Sequence, residues 1–129
     1  MRKVLVSFLL IFGLMSSVSA DFKTAYDAYQ QGDYKTAIKE YTSLAKQGNV
    51  YAQYNLGLMY DLGKGVAKDE VQAVAWYQKA AEQDYASAQF NLGLMYNLGK
   101  GVAKDEVQAV AGIKKPPSKA LQTHSTILG

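Results

Sequence analysis

The chain contains no cysteine in 129 residues. That excludes a disulfide framework, a thiolate nucleophile and a thiolate-ligated metal. Histidine occurs once, at His124, so a Ser–His pair or an imidazole metal site has nothing to build on. The two prolines stand together at Pro116 and Pro117, which leaves every earlier segment free to be helical. Arginine occurs only at Arg2. Residues 21–111 hold nine Lys against eleven Asp and Glu, a net of −2. The overall excess of positive charge therefore comes from the two ends, and a basic nucleic-acid surface is not expected. The one extended apolar run, Val4 to Met15, has 12 residues, against the roughly 20 that a membrane-spanning helix needs.

That run has the layout of a secretory signal peptide. Arg2-Lys3 precedes it, and small residues follow, with Val18 and Ala20 placed for cleavage before Asp21. Export to a bacterial periplasm or beyond is expected, with no stable membrane span after cleavage.

What the chain has is a repeat. "AQYNLGLMYDLGKGVAKDEVQAVA" at 52–75 returns as "AQFNLGLMYNLGKGVAKDEVQAVA" at 88–111, an offset of 36 residues, changed only at Tyr54/Phe90 and Asp61/Asn97. A period of this size signals stacked helical hairpins. In the first helix, predicted over 50–62, Ala52, Leu56, Met59 and Tyr60 fall on one stripe. Gly57 lowers helix propensity by about 1 kcal/mol relative to alanine, but its missing side chain lets a neighbouring helix come close. Gly63 and Gly65 suit the positive φ of a tight turn, and Val66 is expected to tuck back between the helices. Asp69 is placed to cap the second helix, with Gln72 at the capping-box position. Ala73, Trp76, Tyr77, Ala80 and Ala81 form its packing face, and the helix should end near Gln83. Residues 22–49 hold a shorter relative, in register at Ala37, Ile38, Tyr41 and Ala45 but with the turn reduced to "QGDY".

The unit resembles the Sel-one-like repeat, a cousin of the tetratricopeptide repeat. The residues that carry the likeness are Ala52, Leu56, Gly57, Tyr60, Gly63, Gly65, Val66, Asp69, Ala73, Trp76, Tyr77, Ala80 and Ala81. The second copy matches from Ala88 to Ala109 and then departs. The resemblance implies an all-α, right-handed α-solenoid whose concave side binds proteins or peptides, with no reaction and no cofactor. The expected organisation is a signal peptide at 1–20, a tetratricopeptide-like unit at 21–49, a full repeat at 50–85, a truncated repeat at 86–111 and an aberrant, disordered tail at 112–129. Gln53, Asn55, Gln89 and Asn91 are the candidate partner contacts on the concave face. The same amides would equally serve neighbouring helix ends.

Signals for chemistry are weak. Gly57 and Gly63-Lys64-Gly65 miss the phosphate-loop spacing and its Ser or Thr. Ser43 and Lys46 fit S-x-x-K without the partner motifs, so a β-lactam-binding hydrolase is the alternative to an interaction module. The tyrosines at 26, 29, 34, 41, 51, 54, 60 and 77 are read as packing, with some lining a groove.

The tail itself looks like a reading-frame slip. One base lost from a coding of Trp-Tyr-Gln-Lys-Ala-Ala-Glu-Gln and a following first helix gives residues 112–128, with synonymous codons left free. Two full hairpins and part of a third predict marginal stability and self-association through the uncapped last unit.

Overall fold

The computed structural model describes residues 21–113. The expected signal peptide, and the tail beyond Ile113 with its proline pair, lie outside the described residues. Six helices follow one another: α1 Phe22–Gln30, α2 Tyr34–Lys46, α3 Val50–Leu62, α4 Glu70–Glu82, α5 Ala86–Leu98 and α6 Glu106–Ile113. Each packs chiefly against the next along the chain, giving three antiparallel hairpins stacked into a short all-α solenoid. Among the described residues no helix is long and apolar enough to cross a membrane.

Local chemistry sets the helix boundaries. Asp33 accepts from the Thr36 N–H at 3.2 Å, Asn49 from Ala52 at 2.9 Å, and Asp69 from Gln72 at 3.1 Å. Each satisfies a first-turn donor that has no partner inside its helix. The capping box expected at Gln72 is only half made. The N–H of Asp69 donates to the Tyr60 carbonyl at 2.9 Å, so the donor that a Gln72 side chain would serve is already taken by the preceding helix. Gly63 ends α3 at φ 67° and Gly99 ends α5 at φ 65°, both left-handed. Gly65 has a second reason to lack a side chain. A Cβ there would stand 2.5 Å from the Tyr34 carbonyl oxygen, because each inter-helix loop presses on the start of the second helix in the preceding hairpin.

Two clusters form the core. One joins Ala25, Ala28, Ala37, Tyr41, Ala45, Ala52, Leu56 and Met59. The other joins Ala73, Val74, Tyr77, Ala80, Ala81, Ala88, Leu92 and Met95. Small alanines on one helix face large residues on the next, so the helices interlock at short range. At Gly57 two helices meet closely: a Cβ would meet the ring of Tyr77 at 2.7 Å. Tyr77 is fully buried, so this glycine is where the α3–α4 pair gains its contact.

Candidate functional site

The first helices of the hairpins, α1, α3 and α5, place most of the chain's aromatic surface. Rings run in succession from α1 across the start of α3 to Tyr85 in the link before α5. Tyr26 stacks on Phe22 at 6.4 Å, Phe22 meets Tyr51 edge-on at 6.1 Å, Tyr51 meets Tyr85 at 5.5 Å, and Tyr85 meets Tyr54 at 5.1 Å. Edge-to-face packing at these distances holds each ring in one orientation. Tyr26 and Tyr51 are about half exposed, so this strip is anchored at its base and open at its face, and Phe90 of α5, the counterpart of Tyr54, is half exposed as well.

A cleft of about 140 Å³ opens between α1 and α3, lined by Tyr26, Tyr29 and Gln30 of α1, Tyr41 of α2, and Asn55 and Leu58 of α3. Tyr41, buried from solvent, forms its floor, and burial pushes its hydroxyl pKa up to about 12. The arrangement recurs one hairpin further on. Tyr54 lies 5.9 Å from Tyr77, and Asn91 donates to the Tyr54 hydroxyl at 3.4 Å. Burial raises the hydroxyl of Tyr77 further, with Asp61 adding to the rise. That hydroxyl has no hydrogen-bond partner among the described residues.

The four amides singled out from the sequence divide into two pairs. Asn55 and Asn91 are half-buried beside the tyrosines of this face. Gln53 and Gln89 are buried and are corrected from exposed partner contacts to structural residues. They are 5% and 3% exposed. Gln53 Nε2 donates to the Ala45 carbonyl at 3.2 Å, and Gln89 Nε2 repeats this on Ala81 at 3.2 Å. Each satisfies a carbonyl near the end of the preceding helix. The Gln53 Oε1 also accepts from Gln83 Nε2 at 2.8 Å, so its donor and its acceptor are both engaged.

The motifs weighed for chemistry take structural positions. Lys64 lies 5.2 Å from the ring centres of both Tyr29 and Tyr34 and donates to the Tyr29 hydroxyl at 3.3 Å. It is a cation on aromatic faces, pinning the loop to the first hairpin. Ser43 sits exposed on α2, its Oγ accepting from Gln47 at 3.4 Å. Among the described residues no cluster of His, Cys, Asp or Glu is placed to hold a metal ion.

Phe22, Tyr85, Phe90, Gln30 and Leu58 belong to this face and were missed in the sequence reading. Phe22, Tyr26 and Tyr29 have helical spacing, which is a usable signal. Tyr85 was hidden because it stands where the preceding repeat has the cap Asn49.

Comparison with known proteins gives the same architecture. The Sel1 repeat family matches residues 50–85 and 86–111. A Sel1 repeat protein from Oxalobacter formigenes is 40% identical, with a TM-score of 0.70, over 82% of this chain and 42% of that one. A protective antigen present in uropathogenic Escherichia coli strains, displaying an SLR fold, is 41% identical, with a TM-score of 0.65, over 68% of this chain and 20% of that one. The chain thus spans less than half the length of either solved structure. None of the curated proteins matches it.

Proposed function

The chain belongs to the Sel1-repeat proteins, and from that premise we propose that it is an exported, non-catalytic adaptor that engages a protein or peptide through its first-helix face. Repeats of this kind are typically protein-interaction modules. The aromatic strip from Tyr26 to Tyr54, beside the Tyr41-floored cleft, is the observation that carries the reading here. Rigid, half-exposed aromatics supply contact area at low ordering cost, which is what interface anchors need. Asn55 and Asn91 add amide groups suited to pairing with a peptide main chain. The acid-leaning balance of residues 21–111 favours a protein partner over a nucleic acid. Export rests on the basic start, short apolar run and small residues of 1–20.

The test is retention of a partner from periplasmic extract by the chain and by its Y26A/N55A/N91A variant. A protein held by the first and lost by the second supports the proposal. Equal retention by both, or turnover of nitrocefin that is lost on Ser43→Ala, contradicts it.

A further inference from the structure

Trp76 is the only tryptophan in the chain, and the place it fills recurs. Its side chain packs against the first core cluster, which includes Ala45 and Leu56, and Tyr60 packs against the same cluster. Advancing by 36 residues turns Ala45 into Ala81, Leu56 into Leu92, Tyr60 into Tyr96, and Trp76 into Gly112. The wall is kept and the indole is gone. A cleft of about 300 Å³ stands there, lined by Ala81, Leu92, Tyr96 and Gly112, with Gln78 and Glu82 among the polar lining residues. Its volume is at the lower end of the range for small-molecule sites, about 300–1,000 Å³.

Burial records the same loss. Leu56 is 0% exposed and Leu92 is 9%; Met59 is 0% and Met95 is 4%. The gap cannot close by α6 settling inward. A Cβ on Gly112 would already lie 2.8 Å from the Cα and N of Gly93, so the two backbones are in contact.

We infer that this cleft is a binding site for an indolyl group. The preceding repeat suggests the ligand chemistry: the core cluster that contains the counterparts of Ala81 and Leu92 is the one against which the indole of Trp76 packs. The exposed Gln78 and Glu82 offer oxygen acceptors for an indole N–H, which a buried indole requires. The site shares no residue with the Tyr26–Leu58 cleft, and it stands or falls separately from the adaptor reading.

The test is a methyl-resolved NMR titration of the full chain with skatole, which is the tryptophan side chain as a free molecule, and in parallel with N-acetyltryptophanamide. Saturable shifts are expected at the methyls of Ala81 and Leu92 with skatole, at millimolar dissociation constants typical of so small a ligand. Shifts with N-acetyltryptophanamide as well assign the site to a tryptophan on a partner protein; shifts with skatole alone assign it to a free indole. Ala111 and Gln108 are exposed lining residues. A111W and Q108W each cover the cleft from the surface and should weaken binding by about tenfold or more. V107A, outside the cleft, should leave binding unchanged. Absence of saturable shifts, shifts centred on Leu58 instead, or unchanged affinity in both A111W and Q108W would overturn the inference.

Discussion

Gln53 shows how one amide is committed by its surroundings. Its Nε2 bonds the Ala45 carbonyl, its Oε1 accepts from Gln83, and Gln83 also reaches the Gly48 carbonyl at 3.1 Å. Removing it strands a buried carbonyl, which costs about 1–3 kcal/mol. Q53A should therefore lower the unfolding free energy by that amount, read as a fall in the urea midpoint, while leaving partner retention intact. Loss of retention at unchanged stability would return Gln53 to the binding face. The sequence could not separate Gln53 from Asn55, because both stand on one helix two residues apart and only the placement of α2 decides which amide meets a backbone carbonyl. The tyrosines make a second residue-scale prediction. Burial raises the Tyr41 hydroxyl to about 12 and Tyr77 further still, whereas an unfolded tyrosine ionises near 10. The fold holds these protons more tightly than the unfolded chain does. Their contribution is complete below about pH 10 and is lost as pH rises towards about 12. The urea midpoint should fall across that window, and Y41F should flatten the fall. An equal fall in Y41F would remove Tyr41 as its source.

At the scale of the element, helix ends were the most legible feature. Asp69 and Gly63 announce where α4 begins and α3 stops, because caps act within three or four residues and need no tertiary context. The observed α3, Val50–Leu62, has the predicted bounds. The link between α4 and α5 is where the repeats differ. Gly48 and Asn49 of the earlier link are replaced by Asp84 and Tyr85. Asp84 has φ 64° and is the only non-glycine residue with positive φ among those described. Tyr85 gives α5 no side-chain cap and instead joins the aromatic strip through Tyr51 and Tyr54. An exposed aspartate in the left-handed region is less favourable than glycine. D84G should raise stability by about 0.5–1 kcal/mol, read as an upward shift of the thermal midpoint. A lower midpoint would mean that the Asp84 side chain stabilises the turn.

At the scale of the molecule, three hairpins make a short array. Each buries its apolar faces only against its neighbours, so stability grows with the number of interfaces. Among the described residues the third hairpin leaves Val110 51% exposed where its counterpart Val74 in the second is 5% exposed, an apolar surface of the kind a terminal capping unit makes polar. Unfolding at a low thermal midpoint, and sedimentation that depends on concentration, are expected. A high, reversible, strictly monomeric transition would show that the last hairpin is adequately closed. The repeat architecture was legible because near-identical 36-residue copies fix the fold by self-similarity. The aromatic strip was not, since its members Phe22, Tyr51, Tyr54 and Tyr85 come from the starts of two helices and one link and meet only after stacking. The central claim concerns that face, and site-specific photo-crosslinking tests it most directly. A crosslinker is placed in turn at Tyr26, Asn55 and Phe90 on the first helices, and at Val71 and Lys79 on α4, in periplasmic extract. The account predicts one common partner band from Tyr26, Asn55 and Phe90 and none from Val71 or Lys79. A band confined to Val71 and Lys79 would contradict it.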